Sequence, residues 1–311
     1  MAPKRILVVG ASGFLGSNVA LAARDEYAVV VHSFRTPVCD TGMISITADL
    51  TLPGSASRLV REAKPDVVIN CAALADVDAC EANPELARQM NADAPGEIAD
   101  ACRLHNATFV HISTDAVFGD GPGPWRPSSS PHPINVYGRT KASGEQQVLS
   151  QMSRALVVRT NIVGWSPDGR RSLLEFFYNR LSSGQSTPGF TDVLFRPLAV
   201  CDLWRLLNKL IESGTHGIWH AMGADLISKF AFGVMVARTF GFDEALVEPR
   251  KVAEAGLVAR RASNLDVEPT RESSRSGTAP ATIADGLRHL RDQHVQGHRQ
   301  ALRDFLTNRV H

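Results

Sequence analysis

The chain has 311 residues, enough for a full core in one large domain or two smaller ones, and its net charge of +1 with interspersed signs argues against a nucleic-acid surface. Its five cysteines form no Cys-x-x-Cys pair and its ten histidines no paired ligand spacing, so reduced thiols and no metal cluster are expected. No apolar run nears the ~20 residues of a membrane span and no charged-then-apolar leader precedes the first strand, so a cytoplasmic protein without a membrane partner is expected.

Arg5 to Val9 is a short apolar, β-branched run of the kind buried in a parallel sheet. It leads into Gly10-Ala-Ser-Gly13-Phe-Leu-Gly16 and then a helical stretch from Ser17 to Arg24. Strand, glycine turn and helix are the setting a dinucleotide fingerprint requires. Gly10 permits the tight turn, Gly13 lets the backbone approach a pyrophosphate, and Gly16 lets helix and strand pack closely. The helix start offers free N–H groups to phosphates. Gly10, Ser12, Gly13, Phe14, Leu15 and Gly16 are therefore candidate cofactor-binding residues.

A second strand runs from Ala28 to His32. An NAD site usually places an acid near this end; here the residues are His32-Ser33-Phe34-Arg35-Thr36. Arg35 suits a 2′-phosphate, which favours NADPH and leaves NADH open; a solvated loop arginine is the other reading. Asp49 and Leu50 close the next apolar stretch and are expected near the adenine. After the strand Asp66 to Asn70, the small residues Cys71, Ala72 and Ala73 would let a cofactor lie across the strand end. Helices are expected from Pro84 to Asn91 and from Ala94 to His105. The strand Thr108 to Ile112 ends in Ser113-Thr114-Asp115, hydroxyls at the carboxyl end of a strand, where open α/β sheets bind ligands.

Gly119 to Pro133 is a Gly/Pro/Ser-rich loop, readable as a substrate flap or as a passive connection. Next comes Asn135-Val-Tyr137-Gly-Arg-Thr-Lys141-Ala-Ser-Gly-Glu145. A helix starting near Val136 puts Tyr137 and Lys141 on one face. A phenol has an ordinary pKa of about 10, and a neighbouring ammonium favours its phenolate. Such a phenol can deliver the proton a ketone oxygen needs when hydride reaches its carbon. An ordinary surface helix has the same spacing; the fingerprint at the other end of the chain favours the catalytic reading.

A sixth strand covers Ala155 to Arg159. Alternating strands and helices to this point predict a Rossmann-type doubly wound parallel sheet, an α/β class, over residues 1–160. Residues 161–311 are expected to form a smaller α/β substrate-binding portion, with some segments returning to the sheet domain. Its helices are expected at Ser172 to Leu181, Val200 to Ser213, Lys229 to Gly241 and Ile283 to Thr307. Between them, Arg250, Arg260, Arg261, Arg271 and Arg275 could face a diphosphate or stand in solvent.

These motifs resemble the extended short-chain dehydrogenase/reductases, and within them the dTDP-4-dehydrorhamnose reductase branch. The resemblance rests on the glycine turn, Asn70-Cys-Ala-Ala73, Ser113-Thr114-Asp115 and the Asn135–Lys141 stretch. Asn91-Ala-Asp-Ala-Pro95, Arg196-Pro197, Gly217-Ile-Trp-His220 and Ser263-Asn-Leu-Asp266 extend it over nearly the whole chain, more loosely after Thr160. It implies that Thr114 bonds the substrate carbonyl, Tyr137 donates the proton, and Lys141 lowers the tyrosine pKa and holds the nicotinamide ribose. It also implies NAD(P)H reducing the 4-keto group of a nucleotide-linked 6-deoxyhexose. The branch usually has tyrosine where Ala116 stands and acidic residues where Arg126-Pro-Ser-Ser-Ser-Pro131 stands. Another nucleotide sugar or a secondary-metabolite ketone therefore fits as well. A non-catalytic regulatory subunit, like that of methionine adenosyltransferase, is the reading from another class. Epimerisation or dehydration ranks last, because Ala116 is not an acid. A homodimer is compatible with each reading.

Overall fold

The computed structural model describes residues 3–40, 42–256, 259–270 and 279–307. One sheet contains β1 (Arg5–Val9), β2 (Ala28–Ser33), β3 (Ile44–Thr47), β4 (Val67–Asn70), β5 (Thr108–Thr114), β6 (Leu156–Thr160) and β11 (Gly217–Ala221). Its order is β11-β6-β5-β4-β1-β2-β3, and each adjacent pair is parallel. This is the doubly wound α/β arrangement expected from the alternation of strands and helices.

Because both faces are covered, the central strands read as unbroken apolar runs. Alternate residues serve opposite cores. Ile6, Val8 and Val31 pack on one side with α1 (Phe14–Ala23) and later helices, including Leu203, Leu287 and Leu302. Leu7, Val9 and Val30 pack on the other with α2 (Ser55–Ala63), α5 (Ala94–Leu104) and α6 (Val136–Gln151). From β1 the chain winds outward to β2 and β3, then returns to lay β4 on the other flank of β1. That reversal opens a crevice at the carboxyl ends of β1 and β4, where such sheets take ligands.

Short helices α3 (Val77–Ala82) and α4 (Pro84–Arg88) follow β4. The expected break near Asn91 is bridged by a π-helical turn, Gln89–Asp93, running straight into α5. The wide turn sits just before Pro95, whose missing N–H would interrupt an α-helical ladder. Helix α1 begins three residues earlier than expected, because Gly13 is extended and serves as its N-cap. The long closing helix is broken by Gly297, at φ +85, into α10 (Ile283–Val295) and α11 (His298–Leu306).

After β6, three two-stranded pieces build the smaller portion. They pair β7 (Ile162–Val163) with β10 (Leu198–Ala199), β8 (Thr187–Phe190) with β13 (Val247–Arg250), and β9 (Leu194–Phe195) with β12 (Ile227–Ser228). Helices α7 (Leu173–Ser182) and α9 (Lys229–Phe240) pack against β8, and α9 also against β12 and β13. The helix α8 (Val200–Glu212), β11, α10 and α11 return to the sheet domain. Among the described residues, no helix is long and apolar enough to cross a membrane.

Candidate active site

The glycine turn is built by close approach. Gly10 has φ +78, and a Cβ there would lie 2.8 Å from the Ala72 backbone. A Cβ on Gly16 would collide with the Gly10 carbonyl oxygen. Beneath the turn, His32 accepts from the Gly10 N–H through Nδ1 (3.2 Å), so Nε2 carries the proton donated to the Ala48 carbonyl at 3.0 Å. Burial lowers the His32 pKa and keeps the ring neutral.

Above the turn lies a cleft of about 580 Å³. Gly10, Ser12 and Gly13 form one wall; Arg35, Asp49 and Leu50 line the far end; Cys71, Ala72 and Ala73 line the side. Phe14, Leu15 and Gly16 are set back from this lining, in the first turn of α1. Tyr137 and Lys141 also lie outside it, on α6. Arg171 lines the cleft as well, from the loop before α7. Nothing periodic in the sequence points to Arg171; the only signal is an arginine pair, Arg170-Arg171, in a short turn.

Helix α6 is pressed against the end of β5. The Asn135 side chain caps it by accepting from Gly138 N at 2.8 Å, and a Cβ on Gly138 would collide with the Ala116 carbonyl. This brings Tyr137 to Thr114, whose hydroxyl acts to lower the phenol's pKa. Burial nevertheless pushes the phenol up to about 12, with the Asp115 and Cys80 charges acting in the same direction. The lowering expected from Lys141 does not prevail here. The Lys141 ammonium turns instead to the Ile112 carbonyl, at 2.7 Å, and lies 3.3 Å from His111 Nε2. Lys141 is 1% exposed, and burial brings its pKa down to about 8. Asp115 is also buried; Asn161 donates to it at 2.6 Å, and desolvation raises its pKa.

Behind α6 lies a buried network. Arg159 donates to Glu145 at 2.9 and 2.7 Å, and Ser113 donates to the same carboxylate at 2.5 Å. The Arg159 guanidinium also stacks over Phe118, 5.0 Å from the ring centre.

The loop from Gly119 to Pro133 is tied down by residues 259–270. Trp125 N donates to the Asp266 carbonyl at 2.7 Å, and Arg260 pairs with Asp120 at 2.7 Å. Arg261 pairs with Asp78 at 3.2 Å and Arg250 with Glu248 at 3.1 Å, so these arginines are engaged by acids. Arg271 and Arg275 lie outside the described residues. Elsewhere, Cys201, Asp202 and His289 bring possible ligand atoms within 4.8 Å of one another, a grouping the sequence spacing does not reveal. Arg205 already pairs with that aspartate at 2.8 Å.

A doubly wound sheet, a glycine turn at its switch point and a Tyr-x-x-x-Lys helix against the end of β5 define a Rossmann-type protein of the extended short-chain dehydrogenase/reductase kind. A family model described as the RmlD substrate binding domain matches residues 4–295, and the chain belongs to that family. It is 33% identical over 298 residues to a dTDP-4-dehydrorhamnose reductase of Mycobacterium tuberculosis, covering 93% of this chain and 90% of that one. It is 31% identical over 289 residues to a probable low-salt glycan biosynthesis reductase of Haloferax volcanii, covering 91% of this chain and 96% of the relative. Among solved structures, the dTDP-4-dehydrorhamnose reductase of Bacillus anthracis in complex with NADP superimposes with a TM-score of 0.83. That match has 25% identity and covers 94% of this chain and 99% of the other.

Proposed function

We propose that this chain is an NADPH-dependent reductase of the 4-keto group on a nucleotide-linked 6-deoxyhexose. The observation that carries the proposal is the Tyr137 phenol set with Thr114 and Lys141 where the start of α6 meets the carboxyl end of β5. The names of the Mycobacterium tuberculosis and Bacillus anthracis relatives support the substrate class, and the latter's complex supports the cofactor. The cleft suits a dinucleotide on its own evidence, because its volume of about 580 Å³ is lined at the strand ends by the glycine turn and by the small residues Cys71, Ala72 and Ala73.

Gly10, Ser12 and Gly13 would hold the cofactor's diphosphate. Asp49, Leu50 and the Cys71–Ala73 stretch would hold the adenine and sugar side, and Arg35 would take a 2′-phosphate. When bound, NADPH supplies the hydride. The chain's own residues manage the proton. At about 12, the Tyr137 phenol stays protonated across neutral pH and has a proton to give the alcohol oxygen as it forms. Thr114, 7% exposed, would hold that oxygen in place. Lys141, poised at about 8 one turn along the same helix, would supply positive charge to the site. Burial around these groups strengthens each interaction by excluding water.

The test is NADPH oxidation, followed by loss of absorbance, with dTDP-4-keto-6-deoxy sugars supplied one at a time. Turnover should disappear in Tyr137→Phe while NADPH binding persists. A wild-type chain that binds NADPH tightly and turns over none of these sugars would sink the sugar assignment. It would favour another ketone or a regulatory role with a protein partner.

A further inference from the structure

Two arginines line the cleft, and one of them, Arg171, comes from the other half of the chain. Arg171 belongs to the loop joining β7 to α7, yet it lines the same cavity as Gly10, Ser12 and Gly13. Its backbone is firmly placed. Glu175, fully buried, accepts from Arg171 N at 2.8 Å and from Ser166 N at 2.6 Å. Ser172 and Glu175 close a reciprocal capping box at the start of α7, and the Ser172 hydroxyl donates to the Gly164 carbonyl at 2.5 Å. The guanidinium is oriented by one hydrogen bond, Nε to Asp168 at 2.7 Å. Its two terminal nitrogens make no other hydrogen bond among the described residues. An arginine fixed at Nε still presents a forked pair of donors, a shape suited to two phosphate oxygens.

We propose that Arg171 is a diphosphate ligand of the dinucleotide, clamping it from across the cleft against the glycine turn. This rests on the dinucleotide reading of the cleft and adds to it a ligand from the substrate-side portion. Arg171 and Arg35 then divide the cofactor between them. Arg35 lies with Phe34 and Thr36 just after β2 and serves the 2′-phosphate, while Arg171, lining the same cleft as the turn, serves the diphosphate. The neighbouring Arg170 is an internal control: its side chain is 81% exposed, and it does not line the cleft.

Titration calorimetry with three probes separates these roles. ADP-ribose carries the diphosphate alone, adenosine 2′-monophosphate carries the 2′-phosphate alone, and NADPH carries both. Arg171→Ala should weaken ADP-ribose and NADPH by about tenfold or more, the loss of a charge-assisted hydrogen-bonded contact, and leave adenosine 2′-monophosphate unchanged. Arg35→Ala should weaken adenosine 2′-monophosphate and NADPH and spare ADP-ribose. Arg170→Ala should leave all three unchanged. Unaltered ADP-ribose binding in Arg171→Ala, or weakening confined to adenosine 2′-monophosphate, would overturn the assignment while leaving the dinucleotide reading intact. A wild-type chain that binds none of the probes would overturn both.

Discussion

Replacing Arg159 with methionine removes the guanidinium from the most enclosed ion pair among the described residues. Arg159 and Glu145 have side chains only 1% and 3% exposed. In the variant, the carboxylate keeps the Ser113 donor and loses both arginine hydrogen bonds, at 2.9 and 2.7 Å. Leaving a buried charge without its partner costs about 3–5 kcal/mol. Two hydrogen bonds to a charged group, each contributing about 1.5–3 kcal/mol, give about 3–6 kcal/mol, a range that overlaps it. A natural domain has only about 5–15 kcal/mol in total, so the variant should fold marginally. The assay is urea unfolding followed by tryptophan fluorescence, with the midpoint compared at constant slope. The double variant Glu145→Met with Arg159→Met should recover much of the loss, because the carboxylate left without its arginine is then gone too. A loss below about 1 kcal/mol in Arg159→Met, or a double variant no more stable than that single one, would refute the reasoning.

Gly16→Ala should abolish NADPH binding and lower the thermal midpoint, since its Cβ would meet the Gly10 carbonyl and lie 2.8 Å from Ala11 Cα; wild-type binding in a fluorescence titration would contradict this. Lys141 has a folded pKa of about 8, below its ordinary 10.5, so between those values the unfolded chain holds more protons and stability rises with pH. Lys141→Met should remove that rise, on the order of 3 kcal/mol, seen as a smaller gain in urea midpoint from pH 7.5 to 10 than in wild type.

The parts of the candidate site that could be read from the sequence are those whose signals are local. The glycine turn needs only consecutive residues around a strand end, and Tyr137 and Lys141 need only one helical turn. Helix α2 went unread although Ala56, Leu59, Val60 and Ala63 follow a helical spacing and are all buried. The mixed-charge stretch around Arg260 looked like a solvated surface or a phosphate site because its partners, Asp78 and Asp120, lie far away in sequence. Arg171 and the Glu145–Arg159 pair were invisible for the same reason: the path of the chain brings them to their places, and no short-range pattern records that path. The phenol's height was missed because burial, which raises it, is a property of the packed state and not of the Tyr-x-x-x-Lys spacing.

The return of the last segments to the sheet makes the two halves inseparable by cutting the chain. A fragment ending at Thr160 would strip β11 from β6 and leave a row of unpaired backbone groups, an invitation to aggregate. It would also unmoor the fingerprint helix. Asn18 of α1 donates to the Trp165 carbonyl at 2.8 Å and meets His298 at 2.9 Å, while Tyr27 just beyond it bonds Asn208 at 2.6 Å. The module that reads as self-contained at the start of the chain is thus braced by its far end. Gene fusions or domain exchanges in this architecture have to carry both ends together, and a lesion in the final helices can surface as a defect in nucleotide affinity.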